Sequence, residues 1–168
     1  GLAGLGEEPR RLAPVSQALG ARVLYTARSR KGGASAEFVA LSELLSTADI
    51  VSLHVPHTAG TERMIDATAL ARMKPGAVLV NTARGGLVDE AALVAALRSG
   101  RLRAAGLDVF AAEPTGAANP LVALENVVMA SHVAWLTPET LARSIDVAVQ
   151  NCERLRSGRP LLNEVRLG

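Results

Sequence analysis

The chain has 168 residues, 49% of them hydrophobic, and a formal net charge of +2, enough for one well-buried core of single-domain size. Its apolar residues come in short runs far below the roughly 20 that cross a bilayer, and its cations, almost all Arg, are scattered among acids without the aromatic interleaving of a single-strand nucleic-acid binder. These features exclude a membrane span and argue against a nucleic-acid partner, while the lone Cys152 excludes an internal disulfide and a thiolate metal cage, so that no metal and a cytoplasmic location are expected.

In chain order, GLAGL at 1–5 reads as a strand entered midway, so the start is expected to be a truncation with room for a targeting segment upstream. A helix is expected over 9–19, kinked or starting late because Pro14 removes a backbone donor at a cost of about 3 kcal/mol in a helix interior. RVLY at 22–25 is the next strand, followed by a short helix near 42–47, the strand DIVSLHV at 49–55, a helix near 66–72 and the strand AVLVN at 77–81. Asp89 caps the helix that runs to Ser99, with Gly100 in the left-handed position after it. AAGLDVF at 104–110 and NVVMAS at 126–131 complete the strands. Thr137, Pro138 and Glu139 start a last helix that Gly158 and Pro160 stop, and its face of Leu141, Ile145, Val149 and Cys152 is core or interface. Strands apolar on both faces and separated by helices require a parallel sheet covered on both sides, so the fold class is α/β, doubly wound, of the Rossmann dinucleotide-binding type.

Gly4-Leu5-Gly6 stands where a dinucleotide-binding turn would lie, between a strand and a helix. Such a turn needs a tight bend at Gly4, close approach of backbone to pyrophosphate at Gly6, and the free amides of the helix start. Pro9 replaces the third glycine, and Glu7 and Glu8 put negative charge near the phosphates, so a working loop and a merely structural turn both stay open. After the second strand stands Ala27 rather than the acid that holds a ribose 2′-hydroxyl, and Arg28, Ser29, Arg30 and Lys31 follow. Three cations and a hydroxyl suit a 2′-phosphate, which favours NADP(H) over NAD(H) against the plain reading of a solvated basic loop.

Arg84, Glu113 and His132 each follow one of three successive predicted strands, and in an open parallel sheet all three loops leave from the same carboxyl edge. Singly, each has an ordinary explanation as a surface cation, a loop acid and a core histidine. Together they supply a cation for a carboxylate and carbonyl, an imidazole to move a proton, and a carboxylate to orient the imidazole, the set that hydride transfer to a 2-keto acid needs.

ARMKPGAVLVNTARGGLVDEAALVAALRSGRL at 71–102, AAGLDVFAAEP at 104–114 and NVVMASHVAW at 126–135 carry a resemblance that covers essentially the whole sequence. The chain resembles the D-isomer-specific 2-hydroxyacid dehydrogenase family. The resemblance implies a dinucleotide-binding domain over 1–134 and, over 135–168, a helix and tail returning toward a substrate domain that is largely missing. It implies that Arg84 binds and polarises a small 2-keto or 2-hydroxy acid, that His132 is the acid/base and that Glu113 pairs with it. Asp108 would lie near the nicotinamide, Thr82 and Ala83 near its ribose, and Val55, Pro56 and Thr58 beside the adenosine. His54 and His57 are expected to be structural. Trp135 is similar to the glyoxylate and hydroxypyruvate reductase side of the family, and a homodimer is expected by resemblance. Pro9 and Glu7 depart from the family's small and often basic residues there. They leave open a second reading, a dinucleotide-sensing module or incomplete fragment without catalysis.

Overall fold

The computed structural model describes residues 1–33 and 35–164. Seven strands form one sheet: β1 (Leu2–Ala3), β2 (Leu24–Thr26), β3 (Glu37–Phe38), β4 (Ile50–Leu53), β5 (Ala77–Asn81), β6 (Leu102–Leu107) and β7 (Val127–Met129). They lie in the order β3-β2-β1-β4-β5-β6-β7, and every pairing is parallel. The order reverses between β1 and β4, and the crevice that opens there outside the strand ends is where such sheets bind ligands.

Alternation along the strands assigns the layers, since successive side chains point to opposite faces. Leu2 and Tyr25 belong to a small core with Ala13 of helix α1 (Glu7–Ala18), while Ala3 and Leu24 belong to the main core. That main core contains Leu44 and Leu45 of α2 (Leu41–Thr47), Ala69 and Leu70 of α3 (Ala67–Arg72), and Leu93 and Leu97 of α4 (Glu90–Arg98). Helix α1 therefore covers one face and α2, α3 and α4 the other, as right-handed crossovers in opposite directions demand. Leu53, Leu79 and Leu102 are wholly buried, each such side chain contributing about 1.5–3 kcal/mol.

The helix starts follow from side chains able to accept first-turn amides. Asp89 accepts from the Ala92 amide at 3.0 Å, as expected, and Asp66 from Ala69 at 2.8 Å. Gly100 takes φ +71° beyond α4. Helix α1 starts at Glu7, not late, with Pro14 in its interior as the sequence placed it. Glu7 and Glu8 stabilise that early start through the positive end of the helix, Pro9 falls among residues whose amides have no helical partner, and Pro14 sits on the exposed side. Strand β3, a two-residue edge pairing with β2, was not expected from the sequence.

The chain divides into two compact units, the first ending at His132 and the second beginning at Val133. The second holds α5 (Pro138–Arg156), whose N-cap Thr137 accepts the Thr140 amide at 3.1 Å. No residue of α5 is buried, and Leu141, Ile145 and Val149 are 46%, 55% and 55% exposed. Of the two expectations for its apolar face, core or interface, burial within this chain is not what is found. Residues 165–168 of the expected tail lie outside the described residues.

Candidate active site

The turn after β1 is shaped by Gly4, at φ +105°, whose amide donates to Thr26 O at 2.9 Å. A Cβ there would stand 2.4 Å from the His54 carbonyl oxygen, so glycine alone fits. At Gly6, the N-cap of α1, a Cβ would meet nothing within 4 Å. The turn is thus closed toward β4 at Gly4 and open in front of the helix amides at Gly6. That is the cradle a pyrophosphate needs, and Leu5 between them is buried. Pro9 is accommodated as a buried residue of α1. Glu8 is turned toward His54, its Oε2 3.9 Å from Nδ1, and the His54 Nε2 lies 2.9 Å from Ser52 Oγ. Burial pushes the His54 imidazole below its ordinary value, with Glu8 opposing.

The loop after β2 carries Arg28, Ser29 and Arg30, all exposed, and Ala27, half-buried. The buried Tyr25 pins the far side of this loop: its hydroxyl accepts the Lys31 amide at 2.8 Å and donates to Lys31 O at 3.2 Å. Arg10 of α1 donates from Nη1 to Gly32 O at 3.1 Å. After β4, Val55 is half-buried and Pro56 and Thr58 are exposed. Thr61 Oγ1 donates to Pro56 O at 2.6 Å and accepts the Thr58 amide at 2.8 Å, which fixes that bend.

The ends of β5, β6 and β7 are laced together beyond the strands. The Asp108 amide donates to Asn81 O at 3.0 Å, and the His132 amide donates to Asp108 O at 2.8 Å. Asn81 is fully buried; its Oδ1 accepts the Ala83 amide at 3.1 Å and its Nδ2 donates to Arg84 O at 2.9 Å. This folds Thr82 and Ala83 into a turn that lifts Arg84 to the surface, where its Nη1 donates to Ala83 O at 2.6 Å. Asp108 is buried at the end of β6.

Glu113 accepts the Phe110 amide on Oε1 at 2.9 Å, and its Oε2 lies 2.8 Å from His132 Nδ1. The hydrogen bond from the ring and then that from the Phe110 amide hold the Glu113 carboxyl below the usual carboxylate range, against desolvation and the nearby charge of Asp108. His132 itself takes φ +59°, the left-handed region that few residues other than glycine adopt, and its amide hydrogen bond to Asp108 O closes that turn. A cleft of about 820 Å³ opens beside this pair, lined also by Phe110, Pro114, Val122 and Met129.

Of the residues singled out from the sequence, Glu113 and His132 meet directly. Arg84 reaches the same sheet edge one strand away, with its guanidinium folded on its own turn. His57 lies against Gly86, where a Cβ would stand 2.6 Å from its ring. Asn81 escaped the sequence reading although it shapes the Arg84 turn; an Asn ending an otherwise apolar strand was the available signal. Among the described residues no group of three or more His, Cys, Asp or Glu is placed to hold a metal, and no helix is long and apolar enough to cross a membrane.

The chain is 42% identical to a glyoxylate reductase of Aeropyrum pernix over 95% of its length and 49% of that protein's, and 37% identical to a hydroxypyruvate reductase of Blautia hydrogenotrophica over 96% and 51%. It thus spans about half the length of these curated relatives. The crystal structure of the TT0316 protein of Thermus thermophilus superposes with a TM-score of 0.94 at 44% identity, over 98% of this chain and 52% of that one. The profile of the D-isomer specific 2-hydroxyacid dehydrogenase NAD binding domain matches residues 1–134, and the chain belongs to that family.

Proposed function

We propose that this chain is the cofactor-binding and proton-transferring half of an oxidoreductase that interconverts small D-2-hydroxy acids and 2-keto acids, of the glyoxylate or hydroxypyruvate type. The observation that carries the reading is the 2.8 Å contact between His132 Nδ1 and Glu113 Oε2 at the carboxyl edge of the sheet.

The residues present fit a nicotinamide dinucleotide. Gly4, Leu5, Gly6 and the first amides of α1 would hold its pyrophosphate, Val55, Pro56 and Thr58 would flank the adenosine, Thr82 and Ala83 the nicotinamide ribose, and Asp108 the nicotinamide. When bound, the reduced cofactor supplies the hydride that adds to the substrate carbonyl carbon. With Nδ1 engaged by Glu113, His132 gives a proton from Nε2 to the carbonyl oxygen, and the carboxylate stabilises the charged ring beforehand. Arg84 binds the substrate carboxylate and polarises the carbonyl, exchanging its own Ala83 carbonyl for the ligand.

Arg28, Ser29 and Arg30 support NADP(H) over NAD(H), because they stand where a ribose 2′-phosphate would meet two guanidinium groups and a hydroxyl, with Ala27 in place of an acid. The lone Cys152 supports a reducing, cytoplasmic setting, and a homodimer completes the proposal. In the intact protein, His132→Ala and Arg84→Ala should each lower NADPH-dependent reduction of glyoxylate or hydroxypyruvate by about 10²–10⁴-fold while the circular-dichroism spectrum is kept. Turnover unchanged in either variant refutes the assignment.

A further inference from the structure

Glu90 opens α4 directly after its cap, where an acid is ordinarily explained by the positive end of the helix. Its carboxylate does more. Oε1 accepts the Ala111 amide at 2.6 Å and Oε2 accepts Asn119 Nδ2 at 3.2 Å. The Asn119 side chain cannot turn round to avoid this role, because its Oδ1 already accepts the Leu121 amide at 2.9 Å. The two donors lie on either side of Glu113 in the chain, so one carboxylate grips both ends of the segment that presents it.

A second contact comes from the same side. A Cβ on Gly85 would stand 1.9 Å from the Phe110 carbonyl oxygen, so the main chain just after Arg84 lies flat against the main chain that begins the Glu113 segment. Phe110 then donates its amide to Glu113 Oε1. The stretch 85–90, which leaves the Arg84 turn and enters α4, is therefore the bed on which 110–119 rests.

We infer that Glu90 is a positioning residue: by holding the Ala111 amide and the Asn119 side chain, it sets segment 110–119 at the height that puts Glu113 on His132 and registers that pair with the Arg84 turn. The inference rests on the reading of Glu113 and His132 as the proton-transferring pair. Loss of the grip lets the segment lift, and the imidazole loses a fixed carboxylate without any group leaving the reaction centre. Displacements of this kind reduce turnover rather than dinucleotide affinity.

The test compares Glu90→Ala and Glu90→Gln in the intact protein. Glu90→Ala should lower kcat about tenfold, leave the KM for the dinucleotide unchanged, and move the alkaline fall of the pH–rate profile to lower pH, because a displaced carboxylate no longer favours the protonated ring. Glu90→Gln retains an oxygen for the Ala111 amide but sets an amide nitrogen against the Asn119 Nδ2 donor, so it should recover kcat and the profile only in part. An unmoved profile in a folded Glu90→Ala, or full recovery in Glu90→Gln despite its loss of the Asn119 bond, overturns the inference. Amide exchange separates it from the catalytic reading. If His132→Ala leaves turnover intact, the assignment of chemistry fails on its own. Faster exchange across 110–119 in Glu90→Ala still supports the grip, and unchanged exchange overturns it.

Discussion

Glu113 accepts two hydrogen bonds, one from the Phe110 amide and one from the His132 ring, and both favour its anion. A group fixed in this way keeps its charge while the imidazole beside it gains and loses a proton. Glu113→Gln preserves a hydrogen-bond acceptor but removes the charge. In the proposed reaction it should lower kcat by about 10–100-fold and move the alkaline limb of the rate profile to lower pH, since an amide stabilises a protonated ring less than a carboxylate does. A profile superimposable on that of the unaltered protein excludes Glu113 from the proton transfer. At this scale, residues that carry charge after a strand were legible, because the topology of a parallel sheet collects them at one edge. Glu90 was not, because a side chain that accepts a main-chain amide from a distant loop leaves no spacing pattern in its own segment, and Asn81, bonded to its own turn, showed only as a lone polar residue ending an apolar strand.

The turn after β1 and the loop after β2 act as elements, each defined by main chain more than by any one side chain. The glycine turn was legible as a turn but not as a working one. What resolves its form is the His54 carbonyl pressed against Gly4 and the open space at Gly6, both of which depend on β4 lying next to β1. Strand β3 was illegible because Glu37 and Phe38 pair only with β2, through bonds such as Val39 N to Tyr25 O, and two residues establish no period. The basic loop is held from behind by Tyr25 and Arg10, which leaves Arg28 and Arg30 exposed on a fixed frame. Replacing both by Ala should weaken NADPH by at least about tenfold, given roughly 1.5–3 kcal/mol for a hydrogen bond to a charged group, and should change NADH little. Calorimetric titration of both cofactors measures this, and equal losses would reduce the cluster to surface charge.

For the molecule as a whole, the fold class and strand sequence were legible because both faces of the sheet are apolar wherever helices cover them. The fate of the α5 face was not, because amphipathic spacing says that a face is to be covered without naming what covers it. The acid response also belongs to this scale, because the groups that set it sit in separate elements and act in one direction. His54, with a side chain only 9% exposed, is lowered by desolvation against the opposing charge of Glu8. Glu113 is lowered by His132 and the Phe110 amide, and Asp49 chiefly by its hydrogen bond from Lys74 at 2.6 Å. Each group binds its proton less readily folded than unfolded, so the unfolded state takes up more protons and stability falls as pH falls. The His54 contribution is complete above an ordinary imidazole value of about 6.5 and is lost below it, as pH approaches the lowered folded value. The carboxylate contributions remain until pH passes below about 4. Thermal unfolding followed from pH 8 downward should therefore decline in two stages. His54→Gln, which keeps a partner for Ser52 Oγ but cannot be protonated, should remove the upper stage and leave the lower one. A melting temperature independent of pH between 7 and 5 in the unaltered protein, or an upper stage that survives in His54→Gln, would show that burial of this imidazole is not what the acid limb reports.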